Sequence, residues 1–488
     1  MMILSRNCSK SSLTRSIHRL LITILFASFL MLLIKLMNVN EQTHDVSLLA
    51  YKESSSIVDV GNNHDNNNNN NREKSVNRFE KLCLIKFPSP VQQHAHNSTW
   101  ISITLPKYRI YSFSAYYLAG KNNGDVIMYV ISNTTALLVP FCLLWDADEE
   151  HHVVRAFAEM NKNSFNNLFR EYRITCLSSR ISQLKEPRYV SLIENKCKQP
   201  NHVVDVVAID NQQKQISTLE PHNQQQLWWH KSPKVNFSIC VSPLNQHYDK
   251  YERMLEWIEL NRMFGVEYFF FYNFSTGSKV EKVLNYYVNE NLATIIQWKL
   301  PVKVDERTGA SDVHYYGQLT ALNDCLMRSR LTSHFVVNID LDEFIVPTKD
   351  RTFYQLFTDV FKDKNVNISN VPPVIMSIRN TFFRVQQCNN TNNLFTNCST
   401  KREDLIFRHG SRSKWMASSE VMDLIGVHGP QLKNIRQNRV IKLEPDVALV
   451  FHYHEHEEWI HPMVAELRMQ TFSIELASRL QKMLTQVT

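Results

Sequence analysis

The 488-residue chain has no basic stripe with interleaved aromatic side chains, and its formal charge of +7 is mild for its length. Nucleic acid is therefore not an expected partner. Its nine cysteines include no C-x-x-C pair, which argues against a zinc knuckle. Long hydrophobic runs are scarce as well. Leu20 to Met37, LLITILFASFLMLLIKLM, is the one candidate membrane segment. No small-x-small cleavage pattern follows it, only Met37-Asn38-Val39-Asn40, so an uncleaved anchor is favoured over a signal peptide.

Those eighteen residues span about 27 Å as a helix, just enough to cross a hydrocarbon core. Their only charge, Lys35, sits near the end, where its stem can snorkel. Lys10, Arg15 and Arg19 precede the run, and Glu41 and Asp45 follow it. The positive-inside bias then keeps residues 1–19 as a cytosolic tail and carries the rest across the membrane. Residues 38–80 hold few large apolar side chains and include Asn66 to Asn71. They read as a disordered stem. On this topology Cys8 stays reduced, while Cys83, Cys142, Cys176, Cys197, Cys240, Cys325, Cys388 and Cys398 enter an oxidising compartment, which favours disulfides. Cys388 with Cys398 is the best single pair, both lying in an Asn/Thr-rich loop. Sequons at Asn97, Asn133, Asn236, Asn273, Asn367, Asn389 and Asn397 agree with a secretory lumen.

Two halves follow the stem. Residues 81–234 read as a β-rich domain, with strand-like runs at Trp100 to Leu105, Asp125 to Ser132 and Ala136 to Leu144. It shows no catalytic constellation; Asp146, Asp148, Glu149 and Glu150 with His151 and His152 resemble metal ligands at first but read as a solvated acidic loop. The polar stretch Asn211 to Gln226 links it to the next half. Three roles are open to it: binding glycan, packing on the second half, or joining two copies into a homo-oligomer. From Val235 strands alternate with helices. Strands fall at Phe237 to Ser242, Val266 to Tyr272, Leu292 to Trp298 and His334 to Ile339. Helices fall near Tyr248 to Phe264, at Ser278 to Asn289, and around Leu319, Leu322 and Leu326. Repeated βαβ units imply a right-handedly wound, mostly parallel sheet whose ligand sits beyond the carboxyl ends of its strands.

The fourth strand runs straight into Asp340-Leu341-Asp342. Continued as a strand, it would project both acids to one face. There they would share a hard divalent cation, which takes oxygen ligands and phosphate oxygens together. A nucleotide-binding half, a D-x-D and a luminal location point to sugar transfer, with the metal neutralising the departing diphosphate.

Residues from about 235 to 460 also resemble glycosyltransferase family 92. The resemblance is carried by Cys240 to Leu244, Glu256 to Glu259, Phe264 to Asn273, Tyr316 to Cys325, Ile339 to Pro347, Arg412-Ser413-Lys414-Trp415 and Val427-His428. It implies a GT-A-type fold, an inverting mechanism, manganese or another divalent cation, and a UDP-sugar donor, often UDP-galactose. The acceptor would be a glycan, and the setting a Golgi membrane with type II topology; the sequence carries no C-terminal retention signal. Asp340 and Asp342 become the metal and diphosphate site. His452 in His452-Tyr453-His454 is the further metal ligand, with His454 and His456 as rivals, and His454 stands where the family has Arg. Asn261 stands where a His is expected. Inversion needs a carboxylate base, for which Glu420, Asp423, Glu403 and Asp404 are candidates beside ordinary helix-surface roles. Arg412 and Lys414 are diphosphate contacts or a solvated basic turn. Asp324 and Asn323 touch the donor nucleotide or pack the helix. A Cys240–Cys325 disulfide is conceivable.

Two rivals remain. One is a membrane-anchored glycan-binding protein without catalysis, which has no need of a diphosphate site. The other is a haloacid-dehalogenase-type phosphotransferase, which wants Thr or Val where Phe344 stands.

Overall fold

The computed structural model describes residues 84–88, 100–119, 124–209 apart from 163, 165, 166, 182 and 183, 234–386, 394–421, 424–431, 440–455 and 461–487. The tail, anchor and stem expected over residues 1–80 lie outside the described residues, as do the linker Asn211 to Gln226, Cys83, Cys388, Asp423 and His456. Among the described residues no helix is long and apolar enough to cross a membrane. Residues Cys83–Thr488 cluster as one compact unit. Both expected halves therefore belong to one unit.

Among the described residues the β-rich half contains eight strands: β1 (Ile101–Leu105), β2 (Tyr108–Leu118), β3 (Val126–Ser132), β4 (Phe141–Trp145), β5 (His151–Met160), β6 (Arg170–Cys176), β7 (Tyr189–Ile193) and β8 (Val204–Ile209). They run in the order β1-β2-β3-β6-β5-β4-β7-β8, and β8 pairs back onto β2 in parallel. That pairing closes β2 to β8 into a ring, which removes free edges. Val126, Met128, Val130 and Ile174 fill its interior, where a Cys142–Cys176 disulfide also lies. The expected strand at Ala136 to Leu144 starts only at Phe141. Pro140, which has no N–H to give a ladder, stands at its threshold.

The second half is mixed α/β. Its elements begin β9 (Val235–Cys240), α1 (Tyr251–Met263), β10 (Tyr268–Asn273), α2 (Ser278–Asn289), β11 (Ala293–Gln297), α3 (Gln318–Thr332) and β12 (Ser333–Asn338). Helix α1 stops at Gly265, whose φ of +102° takes the chain out of the helix while its N–H still bonds the Arg262 carbonyl at 3.0 Å. Helix α2 buries Val280, Val283, Leu284 and Tyr287, one face of its 3.6-residue period. Next come β13 (Glu343–Pro347), α4 (Phe353–Phe361), β14 (Ile375–Ile378), β15 (Asn380–Arg384), β16 (Lys401–Glu403), β17 (Lys414–Ser418), β18 (Val440–Leu443), β19 (Ala448–His454), β20 (Met463–Ala465) and α5 (Ser473–Val487). The large sheet is ordered β11-β10-β9-β12-β17-β14-β18 and the smaller one β13-β19-β15-β16-β20. Strands β11, β10, β9 and β12 are parallel; β17 runs antiparallel to both its neighbours. Read along the large sheet, the first four strands in chain order stand 3-2-1-4. The order reverses between β9 and β12, and a crevice opens there at their carboxyl ends.

Helix α3 is buried along most of its length because the β-rich half packs on it. Asp324 accepts hydrogen bonds from Tyr116 of β2 (2.5 Å), Tyr272 of β10 (2.6 Å) and Arg328 (2.7 Å). Glu171 of β6 accepts from the backbone N–H and hydroxyl of Thr320 at 2.8 and 3.0 Å. Trp298 meets the rings of Trp100 and Phe113 edge-on. Of the three roles open to the β-rich half, packing on its neighbour is the one these contacts display.

Candidate active site

The reversal point is where the chemistry collects. Strand β12 ends at Asn338, two residues before the first acid, and Asp340 to Glu343 form a turn in which the Glu343 N–H bonds the Asp340 carbonyl at 3.1 Å. The strand does not continue through D-x-D, so its two acids do not share a strand face as expected. The turn carries the chain from the large sheet to β13 of the small one, and Trp257 of α1 pins it by donating to the carbonyls of Asp340 and Glu343, both at 3.0 Å.

The two acids meet different partners. Asp340 accepts from the Ser242 hydroxyl at 2.5 Å and pairs with the Lys414 ammonium at 2.5 Å. Asp342, its side chain 46% exposed, faces His452 Nε2 at 3.1 Å. Behind both lies Glu343, fully enclosed, which pairs with Lys414 at 2.9 Å and with His452 Nδ1 at 3.1 Å, and accepts from Asn380 at 3.2 Å. Strand register explains the convergence. Lys414 arrives on β17 beside the end of β12, and β19 places His452 directly opposite Glu343. Burial would discharge Glu343, but Lys414 and His452 hold its pKa well below the ordinary range. Burial would likewise discharge Lys414, and Asp340 and Glu343 raise its pKa instead. His452 goes the same way: burial lowers it, yet Glu343 and Asp342 raise it to about 10.

A cavity of about 340 Å³ opens over these acids, lined among others by Ser242, Asn245, Tyr248, Tyr315, Asp340 and Asp342. Tyr315 is 54% exposed and has φ 38°, ψ 59°, followed by left-handed Tyr316 and Gly317. Strain of this kind in bulky residues is characteristic of functional sites. Glu455 also lines the cavity, paired with Lys250 at 3.2 Å and Arg253 at 2.6 Å, which clamps the end of β19 to α1.

Of the residues singled out in the sequence, Asp340, Asp342, Lys414 and His452 are brought together. Lys414 reaches them as a buried partner of the acids, not as a surface cation awaiting phosphate. His454 lies on the cavity wall. Arg412 is exposed and stacks over Phe382 and Phe407 at 5.1 and 5.4 Å. Asp324 and Asn323 are buried inside α3, away from the cavity: Asp324 ties the halves together, and Asn323 bonds the backbone of Ile425 and Leu319. Glu420 lies past the far end of β17, beside the start of β12, because β17 runs antiparallel to β12. It is therefore at the opposite edge of the sheet from D-x-D, which removes it as a base for chemistry there. Glu403 and Asp404 do not line the cavity. Asn261 is buried in α1 and donates to the Trp257 carbonyl. Two cysteine bridges bear on the expectations. Cys240–Cys325 forms and staples α3 to β9. Cys398 is disulfide-bonded, while Cys388, expected as its partner, is outside the described residues. Sequence reasoning missed Glu343, Ser242 and Tyr315 as site residues, although the first two stand inside the motifs that carried the family resemblance.

A mixed α/β chain with an acidic turn at a sheet reversal point is the form expected of an enzyme that binds a nucleotide-linked substrate. Residues 235–486 match the profile of glycosyltransferase family 92, and the chain belongs to that family. Among curated relatives, the beta-1,4-galactosyltransferase galt-1 of Caenorhabditis elegans is 34% identical over 133 residues, 26% of this chain and 30% of that protein. The glycosyltransferase family 92 protein F59C6.8 of Caenorhabditis elegans is 24% identical over 130 residues, 25% of this chain and 24% of that one. The chain thus matches less than a third of the length of either relative. A solved structure of S. aureus TarS 1-349 in complex with UDP-GlcNAc aligns at 12% identity, 46% of this chain and 60% of that one, with a TM-score of 0.24; no argument rests on it.

Proposed function

We propose that this glycosyltransferase is metal-dependent and inverting, and moves galactose from UDP-galactose onto a glycan acceptor. The observation that carries the reading is the pairing of a half-exposed Asp342 with His452 Nε2 at the sheet reversal point. One carboxylate and one imidazole fit manganese or a similar divalent ion. Among the described residues no cluster of three His, Cys, Asp or Glu is arranged to cage an ion by itself. Glu343 stands behind the other nitrogen of His452 at an ion-pair distance of 3.1 Å, though the ring nitrogen is not aligned for a hydrogen bond to it.

Asp342 and His452 would hold the ion, which when bound supplies neutralising charge to the departing diphosphate. The chain's own residues do the rest. The turn after β9, from Val241 to Asn245, walls one side of the cavity. Ser242 links that turn to Asp340, and Gln318 at the start of α3 donates to the Ser242 hydroxyl at 2.6 Å. Tyr315 gives the cavity an exposed aromatic face. The galactose assignment is supported by the name of the first relative and by the family resemblance. Attachment to a Golgi membrane through Leu20 to Met37 is supported by the sequence of that segment.

The test is UDP release and product formation by the purified full-length chain over a panel of UDP-sugars with glycan acceptors, in Mn²⁺ or in EDTA. Galactose-specific, EDTA-sensitive turnover that Asp342→Ala removes is the expected result. Equal turnover in EDTA would overturn the metal part, and preference for another sugar the donor part.

A further inference from the structure

A short hairpin follows β17, its two strands being Ile425–Gly426 and Gly429–Pro430. Its two-residue tip is Val427-His428, a motif that carried the family resemblance and has no role so far. Three elements hold the tip at the crevice. Asn338, the last residue of β12, donates to the Val427 carbonyl at 3.0 Å, and Trp415 of β17 donates to the Gly426 carbonyl at 3.0 Å. Asn323 of α3 donates to the Ile425 carbonyl at 2.8 Å and accepts from the Ile425 N–H at 2.9 Å. His428 Nδ1 lies 3.2 Å from the Ser413 carbonyl. A carbonyl oxygen only accepts, so Nδ1 carries the ring hydrogen and Nε2 keeps its lone pair. Among the described residues Nε2 meets no hydrogen-bond partner. The imidazole is half-buried. Burial lowers its pKa and Lys414 lowers it further, against the Ser413 carbonyl, Glu343 and Asp340, so the ring is neutral at neutral pH.

Sheet order decides which side of the D-x-D turn this imidazole occupies. Strand β12 stands between β9 and β17. From Asp340 the cavity extends toward the turn after β9 and the start of α1, where Ser242, Tyr248 and Lys250 line it. His428 instead stands on the β17 side, beside Ser413. Inversion uses two sides in this way, because the acceptor oxygen and the base that takes its proton reach the anomeric carbon from the side away from the diphosphate. We propose that His428 is the general base of the transfer, its Nε2 accepting the proton of the acceptor hydroxyl. As that oxygen bonds to the anomeric carbon, the carbon–oxygen bond to the diphosphate breaks and its electron pair leaves with the diphosphate. The inference rests on the inverting-transferase reading under Proposed function and supplies the base which that reading lacks. Of the carboxylates weighed for the role, Glu420 is at the far edge of the sheet and Asp423 lies outside the described residues. A histidine serves as well as a carboxylate, since its pKa lies near the working pH.

The test measures initial rates of the purified full-length chain with Mn²⁺, UDP-galactose and a glycan acceptor that supports turnover, across about pH 5 to 8. Circular dichroism and calorimetric UDP binding verify that each variant is folded. His428→Asn puts an amide N–H where Nδ1 was, so the bond to Ser413 can persist while the proton acceptor is gone. Its kcat should fall by about 10²–10⁴-fold, with donor KM and UDP affinity changed by less than about threefold. In the unmodified chain kcat/KM should decline as pH falls through the depressed imidazole pKa, and His428→Asn should lose this acid limb. Added imidazole should restore part of the turnover of His428→Ala, more so as pH rises, which a merely structural histidine would not show. Where His428→Ala fails to fold, His428→Asn decides alone. Turnover by His428→Asn within about threefold of the original, or a loss of UDP affinity as large as its loss of turnover, overturns the inference while leaving the transferase standing. So does Asp423→Asn, if that variant and not His428→Asn removes turnover and the acid limb. An unmodified chain that turns over no donor overturns the transferase reading and the inference with it.

Discussion

Tyr116→Phe should destabilise the protein far more than a deleted hydroxyl suggests. Asp324 is fully buried between the halves and takes three donors: Tyr116 from the β-rich ring, Tyr272 from the large sheet, and Arg328 one helical turn along α3. Burial pushes the Asp324 carboxyl up, and Arg328 with the hydroxyl donors more than reverses this, leaving its pKa below the ordinary range. The acid is therefore ionised, and each donor it loses is a charge-assisted bond. Removing one should cost about 1.5–3 kcal/mol. Removing the acid by Asp324→Ala strands Arg328 and should cost about 3–5 kcal/mol. Urea unfolding followed by tryptophan fluorescence is the assay, since Trp100 and Trp298 meet at this same interface. Because the folded pKa is depressed, the contribution is present above the unfolded pKa and disappears as pH falls through the folded one. The Tyr116→Phe penalty should accordingly shrink toward acid. A loss below about 0.5 kcal/mol at neutral pH, within the range of an ordinary surface change, would refute the reasoning and the integration of the halves that it expresses.

Glu171 behaves in the opposite sense. Burial raises its pKa to about 7, so the folded state favours the protonated acid and stability should fall as pH rises from about 4.5 toward 7. Glu171→Gln should remove that slope, gaining up to about 3 kcal/mol over the original at alkaline pH; denaturation curves at several pH values with parallel slopes would contradict this. Replacing both Cys240 and Cys325 by Ala should cost about 2–4 kcal/mol, read by thermal unfolding, and an unchanged melting temperature would rule out the staple as a stabilising element. Trp257→Phe leaves the carbonyls of Asp340 and Glu343 without their shared donor. It should lower UDP release by at least tenfold while costing only about 1–2 kcal/mol of stability; unchanged turnover would show that the turn does not depend on it.

The alternation of strands and helices from Val235 was legible because hydrophobic period is a local property. The expected helix Ser278 to Asn289 has those same ends in the structure, and the remaining strands and helices shift by a few residues. The place of D-x-D at the crevice followed from the βαβ order. What failed depended on partners far along the chain. Asp324 was open to a nucleotide contact or to helix packing, and nothing local separates the two because Tyr116, 208 residues away, leaves no mark near it. Glu420 and Lys414 sit six positions apart, and only the antiparallel direction of β17 puts one at the crevice and the other at the far edge. Lys414 was open to a diphosphate contact or a solvated basic turn because nothing local reveals that Asp340 and Glu343 bury it. Glu343 was overlooked for a related reason: it starts a strand, and its pairing opposite His452 is a matter of register.

The central claim is that a divalent ion and a nucleotide diphosphate meet at the turn between β12 and β13. Anomalous diffraction at the manganese edge from crystals of the protein grown with Mn²⁺ and UDP tests it most directly. The account predicts a single strong peak between the Asp342 carboxylate and His452 Nε2, with diphosphate oxygens completing its ligands. A peak elsewhere, or UDP bound with no manganese at this turn, would contradict it.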